Sequence, residues 1–168
     1  EDLYRTVLRW MDGGSLRARA PATEGRPRRS ESPANSEALA RLHHIAAGRG
    51  MQRDFVLAFE GRAEKYLALL DAFLERHAPS PQALRDRLDA NDLDGARALA
   101  HALAGEAAVL GADFVRRCAV AVEDGLRHAV EPEPEPELDT IIVDIDELES
   151  ALAALRAAAT PPASAVSA

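Results

Sequence analysis

Residues 93–111 read LDGARALAHALAGEAAVLG and carry the pattern that decides the fold. At about 100° per residue, six apolar side chains of this stretch lie within roughly 60° of Leu103 on a helical wheel, Leu103 included. These positions are Ala96, Leu99, Ala100, Leu103, Ala107 and Leu110. They predict an amphipathic helix with one buried face. His101 lies about 160° from Leu103 on the same wheel, which predicts that its imidazole points into solvent.

The outer face around His101 consists of small residues, whereas a surface helix usually carries Lys, Glu or Arg there. The small residues are Ala98, Ala102, Ala104, Gly105 and Ala108. A glycine in the middle of a helix costs about 1 kcal/mol relative to alanine. Gly105 nevertheless removes a side chain one turn beyond the imidazole, where it would obstruct approach to the ring. We therefore predict a reachable histidine on a flat surface where another protein docks.

An exposed neutral imidazole is a nucleophile at neutral pH, because the ordinary pKa of histidine is about 6.5. It can accept a phosphoryl group by in-line transfer and release it later, with no general base beyond the ring itself. The sequence shows neither a metal-ligand cluster nor a Gly-rich phosphate loop. We therefore expect no metal or cofactor of the chain's own, and a phosphotransfer intermediate rather than an enzyme.

The flanking segments also show helical periodicity, and none alternates convincingly with the period of two typical of a strand. Asp92 is placed to cap the helix of His101. The helix before it is predicted to start with Ser80 as its N-cap and Pro81 at its first helical position. The helix that follows is predicted to bury Phe114, Cys118, Ala121, Val122 and Leu126. Because short loops join antiparallel neighbours, we predict an all-α fold: an antiparallel four-helix bundle with an additional short N-terminal helix.

Composition divides the chain of 168 residues into a helical body and flanking segments. The predicted divisions are residues 1–12, a short amphipathic helix; 13–36, a flexible linker rich in Pro and Arg; 37–160, the helical bundle; and 161–168, a disordered tail. Inside the bundle, EPEPEPE at 131–137 is predicted to be an extended spacer, because proline alternates with a like-charged residue.

Charge and composition narrow the classes of partner. The formal net charge of -8 argues against nucleic acid and against an anionic membrane surface. Apolar residues make up 47% of the chain and aromatic residues only 4%, which favours a core of packed aliphatic helices. The single cysteine, Cys118, is expected in that core and allows no internal disulfide. No apolar run has the length of a membrane span, and we expect a cytoplasmic protein.

The stretch DLDGARALAHALAGEAAVLGADFVRRCAVAVEDGL, residues 92–126, resembles the signature of the histidine phosphotransfer (HPt) domain. In that signature an Asp near the helix start precedes Ala-His, then a Leu, a Gly four residues after the His, and Leu-Gly further on. The matching positions are His101, Leu103, Gly105, Leu110 and Gly111, with Glu123 at the acidic position of the following helix. The likeness extends over roughly residues 37–158.

This resemblance implies that His101 is the phosphoacceptor of a phosphorelay. The partners would be response-regulator receiver domains, in cis or in trans, whose aspartates exchange the phosphoryl group with His101 and which bring the magnesium. Residues 1–12 resemble the last helix of a receiver domain. We therefore expect the chain to be the C-terminal part of a hybrid sensor histidine kinase whose upstream receiver has been truncated.

The sequence departs from the HPt pattern at Ala104, where the family usually has Lys, and Glu106 adds a negative charge nearby. Arg97, one turn before His101, is a candidate charge partner for the phosphoryl group. The departure leaves open a degenerate HPt fold that only docks or scaffolds receivers. An autokinase dimerisation helix pair is disfavoured, because Ala102 stands where such modules have an acidic residue.

The remaining histidines are predicted to have no part in the chemistry. His43 and His44 are adjacent, so their side chains point in different directions on a helix and are unsuited to a shared metal. His77 and His128 lie near helix ends, where we expect them to interact with the terminal carbonyls.

Overall fold

The computed structural model describes residues 33–48, 50–129 and 138–160. Within these ranges the chain forms α-helices, one 3-10 turn at Glu60–Arg62 and no strand, which confirms the predicted all-α class. The helices are α1 (Pro33–Ala47), α2 (Arg53–Leu57), α3 (Ala63–His77), α4 (Ser80–Asp89), α5 (Leu93–Val109), α6 (Asp113–Ala129) and α7 (Leu138–Ala159). The predictions made for residues 1–12, 131–137 and 161–168, and for the linker up to residue 32, lie outside the described ranges.

The bundle is built on the three longest helices, α5, α6 and α7, with α3 packed against α7. Helix α5 packs along α6, and α6 packs along α7, while α4 lies against α5 and α7 and α1 lies against α3 and α7. Gly125 of α6 lies against Ile141 near the start of α7. Cys118, earlier on α6, is instead close to the charges of Asp144 and Glu147, further along α7. The two helices therefore run in opposite directions, in agreement with the predicted antiparallel bundle.

The core is aliphatic, apart from a few aromatic side chains. The large side chains that are almost fully removed from solvent are Leu42, Ile45, Val56, Tyr66, Leu70, Leu84, Leu103, Val122, Leu126, Ile141, Ile145 and Leu148. The hydroxyl of Tyr66 donates a hydrogen bond of 2.8 Å to the backbone oxygen of Leu110, which ties α3 to the end of α5. Burial raises the pKa of the Tyr66 phenol, so it remains a donor at physiological pH.

The N-terminal part of the fold is more extensive than the sequence pattern predicted. Helix α1 begins at Pro33 rather than near Glu37, and it is 15 residues long. Proline suits a first helical turn, because its missing N–H would have no helical partner there. Helix α2 has only five residues and was not predicted, since one turn and a half is too short to show a periodic pattern.

The buried face of α6 differs from the predicted one. Phe114 is 39% exposed and Ala121 is exposed, whereas Val115 and Ala119 take the buried positions beside Cys118. The Phe114 side chain packs against the backbone of Gly50 instead, and the guanidinium carbon of Arg117 lies 5.8 Å from its ring centroid. These contacts hold the ring at the outer surface. The burial predicted for Cys118 is confirmed, and it raises the pKa of the thiol.

Gly111 forms the tight turn between α5 and α6. Its φ is +68°, a conformation that disfavours residues with a Cβ, and its carbonyl oxygen accepts a hydrogen bond of 2.8 Å from the backbone N–H of Gln52. A Cβ placed on Gly111 would lie 2.7 Å from the ring of Phe55. This turn fixes where α6 starts, and hence which of its residues lie opposite His101.

We expect Gly111→Ala to lower the free energy of unfolding by about 1–3 kcal/mol, because the new methyl group adds backbone strain and a ring clash. Urea denaturation followed by circular dichroism measures this. Gly61→Ala is the matched control, because a Cβ at Gly61 meets nothing within 4 Å. Equal stability of the two variants would contradict the role assigned to the turn.

Candidate functional site

Helix α5 presents His101 from the middle of a well-formed helix. The Asp92 carboxylate caps the helix by accepting a hydrogen bond of 3.0 Å from the backbone N–H of Gly95. Ala100 and Leu103 on the opposite face are fully buried, whereas the His101 side chain is 76% exposed. The exposure predicted for His101 is therefore found. A capped helix with one face anchored in the core gives the imidazole a rigid base.

Glu123 on α6 holds one nitrogen of the exposed imidazole. Nδ1 of His101 lies 3.1 Å from both Oε1 and Oε2 of Glu123, whose side chain is only 13% exposed. An ionised carboxylate can only accept hydrogen bonds, so Nδ1 is the protonated nitrogen and donates. The lone pair of the neutral ring is then on Nε2, the nitrogen that Glu123 does not engage. The pairing of two helices thus selects the tautomer.

Most of the predicted small-residue face surrounds His101 as expected. Ala98, Ala102 and Gly105 are exposed, and Ala108 is half-buried. Ala104 is the exception, because it is only 7% exposed. Three residues after His101, the helix has turned by about 300°, which brings position 104 close to the buried stripe of Ala100 and Ala107. Ala104 is therefore removed from the predicted docking face and assigned to the core.

Gly105 has no packing role within the described part of the chain. A Cβ built at this position meets no heavy atom within 4 Å. The space that glycine leaves therefore lies on the solvent side of α5, one turn beyond His101. Internal packing does not account for a residue that weakens the helix here, so the geometry favours the predicted role in access to the ring.

Arg97 lies beside His101, but its guanidinium is engaged. Arg97, Ala98, His101 and Glu123 line one shallow surface depression. Nη2 of Arg97 is 3.3 Å from Oδ1 of Asp94, one turn toward the helix N-terminus. The direction of this ion pair follows the usual lean of helical side chains. Arg97 is therefore near enough to line the site, and reaching a group on His101 would require it to leave Asp94.

The Glu106 carboxylate is paired with two side chains on α3. Its carboxylate oxygens each lie 3.2 Å from Nη1 of Arg76, and Oε2 is also 3.2 Å from Nε2 of His77. His77 is buried, and its Nδ1 is 3.1 Å from Oγ of Ser80. His77 was expected to contact helix-terminal carbonyls, but it contacts these side chains instead. Ser80 is the first residue of α4, so the prediction that it is the N-cap is wrong. Glu106 is no longer an unpaired negative charge near His101.

Sequence reasoning missed Arg127. Its Nη2 is 3.1 Å from Oε1 of Glu123, and its Nη1 is 3.0 Å from Oδ1 of Asp124. The available signal was the spacing of Glu123 and Arg127, four residues apart on one helix. That spacing is so common on helical surfaces that it carried no weight before the position of Glu123 was known.

His43 and His44 are neighbours on α1. His43 is exposed and its Nε2 is 2.8 Å from Oε1 of Glu60, while His44 is exposed beside it. In the described ranges, no group of three or more His, Cys, Asp or Glu side chains is arranged to hold a metal. None of the described helices combines the length and apolar character needed to cross a membrane.

Comparison with known protein families identifies one match. The family model described as Hpt domain matches residues 68–158, more than half of the chain and including His101 and Glu123. Neither the curated proteins nor the solved structures include a match to this sequence.

Proposed function

The chain belongs to the Hpt domain family, and on this premise we propose that His101 is the phosphoacceptor of a phosphorelay. Members of this family carry phosphoryl groups on histidine and interact with receiver domains of response regulators. In the proposed function, His101 accepts the phosphoryl group from a receiver aspartate and passes it to the aspartate of another receiver. The receivers act in cis, as part of a hybrid sensor kinase, or in trans.

The observation that carries the proposal is the exposed imidazole whose Nδ1 is held by the carboxylate of Glu123 at 3.1 Å. The Nε2 lone pair attacks the phosphorus atom of the aspartyl phosphate. The N–P bond forms as the bond from phosphorus to the aspartate oxygen breaks, and the aspartate leaves as a carboxylate. The reverse sequence, onto a second receiver, returns the ring to its neutral state. In-line transfer of this kind depends on positioning and electrostatics.

Glu123 has two tasks in this proposal. Before transfer it keeps the proton on Nδ1, so that Nε2 is nucleophilic. During transfer the imidazole gains positive charge, and the neighbouring carboxylate stabilises it, as a carboxylate does for histidine in hydrolase triads. The magnesium and the aspartate belong to the receiver. This chain then contributes only the imidazole and the small residues beside it, which leave room for the receiver.

The proposed function is tested by a two-step transfer. The purified chain is mixed with a phosphorylated receiver and Mg²⁺, drawn from a panel of receivers, and a second unphosphorylated receiver is then added. We expect an alkali-stable, acid-labile label on the chain that disappears when the second receiver arrives. A chain that binds receivers but takes no label from any of them would instead support the docking or scaffold function.

Gly105 gives a test of access to the ring. We expect Gly105→Gln to lower the rate of phosphoryl transfer by roughly tenfold or more, since small misplacements at a reacting centre have effects of that size. The fold should not be weakened, because glutamine is the better helix former. Single-turnover transfer kinetics and thermal unfolding measure the two effects.

The matched control is Ala157→Gln, which adds the same side chain at an exposed position near the end of α7. It should transfer at the wild-type rate. A Gly105→Gln variant that also transfers at the wild-type rate would contradict the role of Gly105 in access.

A further inference from the structure

The Glu123 carboxylate is shared between two partners on different helices. Oε1 lies 3.1 Å from Nδ1 of His101 on α5 and 3.1 Å from Nη2 of Arg127 on α6. Oε2 also lies 3.1 Å from Nδ1. The guanidinium of Arg127 therefore contacts the Glu123 carboxylate, and the same carboxylate contacts the imidazole of His101. The side chain of Arg127 is 52% exposed.

The position of the Glu123 carboxylate is not fixed by Glu123 itself. A glutamate side chain has several rotatable bonds, so its carboxylate can take several orientations, whereas here both oxygens lie 3.1 Å from Nδ1. Arg127 is four residues further along the same helix, where an acidic and a basic side chain come within reach of each other. The guanidinium of Arg127 also contacts Oδ1 of Asp124 at 3.0 Å. Arg127 is therefore held by two carboxylates, those of Asp124 and Glu123.

We propose that Arg127 is a positioning residue that holds Glu123 in the orientation that keeps the proton on Nδ1 of His101. This inference rests on the proposed function, because the tautomer matters through the nucleophilicity of Nε2. Arg127 acts only through Glu123. Without it, the carboxylate is free to rotate away from Nδ1, and His101 divides between its two neutral tautomers. Fewer molecules then carry the lone pair on Nε2.

The direct test is the tautomer of His101, read from the ¹⁵N chemical shifts of its ring at pH about 9, well above the usual histidine pKa. In the wild-type chain we expect the Nδ1–H form to predominate. In Arg127→Ala we expect a mixture of the two tautomers, and in Arg127→Lys a return toward the wild-type ratio. We further expect transfer from a phosphorylated receiver to slow roughly two- to fivefold in Arg127→Ala, the modest range of an exposed ion pair.

Arg117→Ala is the matched control. Arg117 also pairs with an acidic residue four positions earlier on α6, Asp113, at 2.8 Å, and the two arginines are 59% and 52% exposed. Removing Arg117 should leave the His101 tautomer unchanged. A wild-type tautomer ratio in Arg127→Ala would overturn the inference. The ring shifts need no receiver, so they decide the role of Arg127 even if the wild-type chain proves to take no phosphoryl label.

Discussion

His101→Gln is expected to reduce phosphorylation of the chain by a phosphorylated receiver to background. Glutamine lacks the nucleophilic ring nitrogen, but its amide can still donate a hydrogen bond to Glu123. Because the His101 side chain is 76% exposed, the free energy of unfolding should change by no more than about 0.5 kcal/mol. Radiolabel transfer at matched concentrations, with circular dichroism to confirm the helical content, measures both expectations.

The controls for this variant are His43 and His44, whose side chains are exposed on α1. His43→Gln and His44→Gln should accept label at the wild-type rate, because neither has a partly buried carboxylate holding its ring; Glu60, the partner of His43, is itself exposed. Label that survives in His101→Gln and disappears in either control would move the phosphoacceptor to α1 and overturn the assignment.

Glu123→Gln is expected to slow phosphoryl transfer by roughly tenfold to a hundredfold, the range found when groups that orient a functional histidine are removed. The amide of glutamine can either donate to Nδ1 or accept from it. It therefore does not select the tautomer. Because it is uncharged, it also does not stabilise the positive charge that the ring gains during transfer. The affinity for the receiver should change little, so the loss should appear in the rate of the single-turnover step rather than in binding.

Glu149→Gln is the control for loss of a carboxylate. Glu149 accepts a hydrogen bond of 2.7 Å from Arg85 on the exposed side of α7, so the change removes a carboxylate that pairs with an arginine but has no contact with His101. Its transfer rate should equal that of the wild-type chain. If Glu123→Gln were as fast as Glu149→Gln, the contact between Glu123 and His101 would have only a structural role.

The helix of His101 could be predicted from the sequence because its orientation depends on local information. The spacing of Leu103 and its buried neighbours defines one face, and the position of His101 follows from the turn angle per residue. The same reasoning failed at Ala104, whose angle lies between the two faces. There the outcome depends on how closely neighbouring helices approach, which a single helical wheel does not contain.

Contacts between helices could not be predicted in this way. Glu106 meets Arg76 and His77, which are about 30 residues earlier in the chain, and this contact depends on how α3 and α5 pack. Phe114 looked like a core residue by its spacing, but the approach of Gly50 gave the ring another place to pack. Glu123 was identified through the resemblance to the HPt signature, whereas Arg127 became evident only once Glu123 was seen against His101.

The departure at Ala104 acquires a physical explanation from its burial. A lysine at this position would have to extend its stem out of the core to bring the ammonium to the surface. Alanine fits the space directly. The departure therefore does not leave a gap in the exposed face around His101, which is formed by Ala98, Ala102 and Gly105. We expect this face to accept a receiver without a cation from position 104.

We propose that the phosphoryl group is carried on Nε2 of His101, the nitrogen that keeps its lone pair when Nδ1 donates to Glu123. The most direct test is to phosphorylate the chain with a phosphorylated receiver and Mg²⁺, and then to locate the phosphoryl group by ³¹P and ¹⁵N NMR of the labelled ring. We expect one phosphoryl group per chain, bonded to Nε2 of His101. A phosphoryl group on Nδ1, on another residue, or on no residue of a folded chain tried with the whole receiver panel would contradict it.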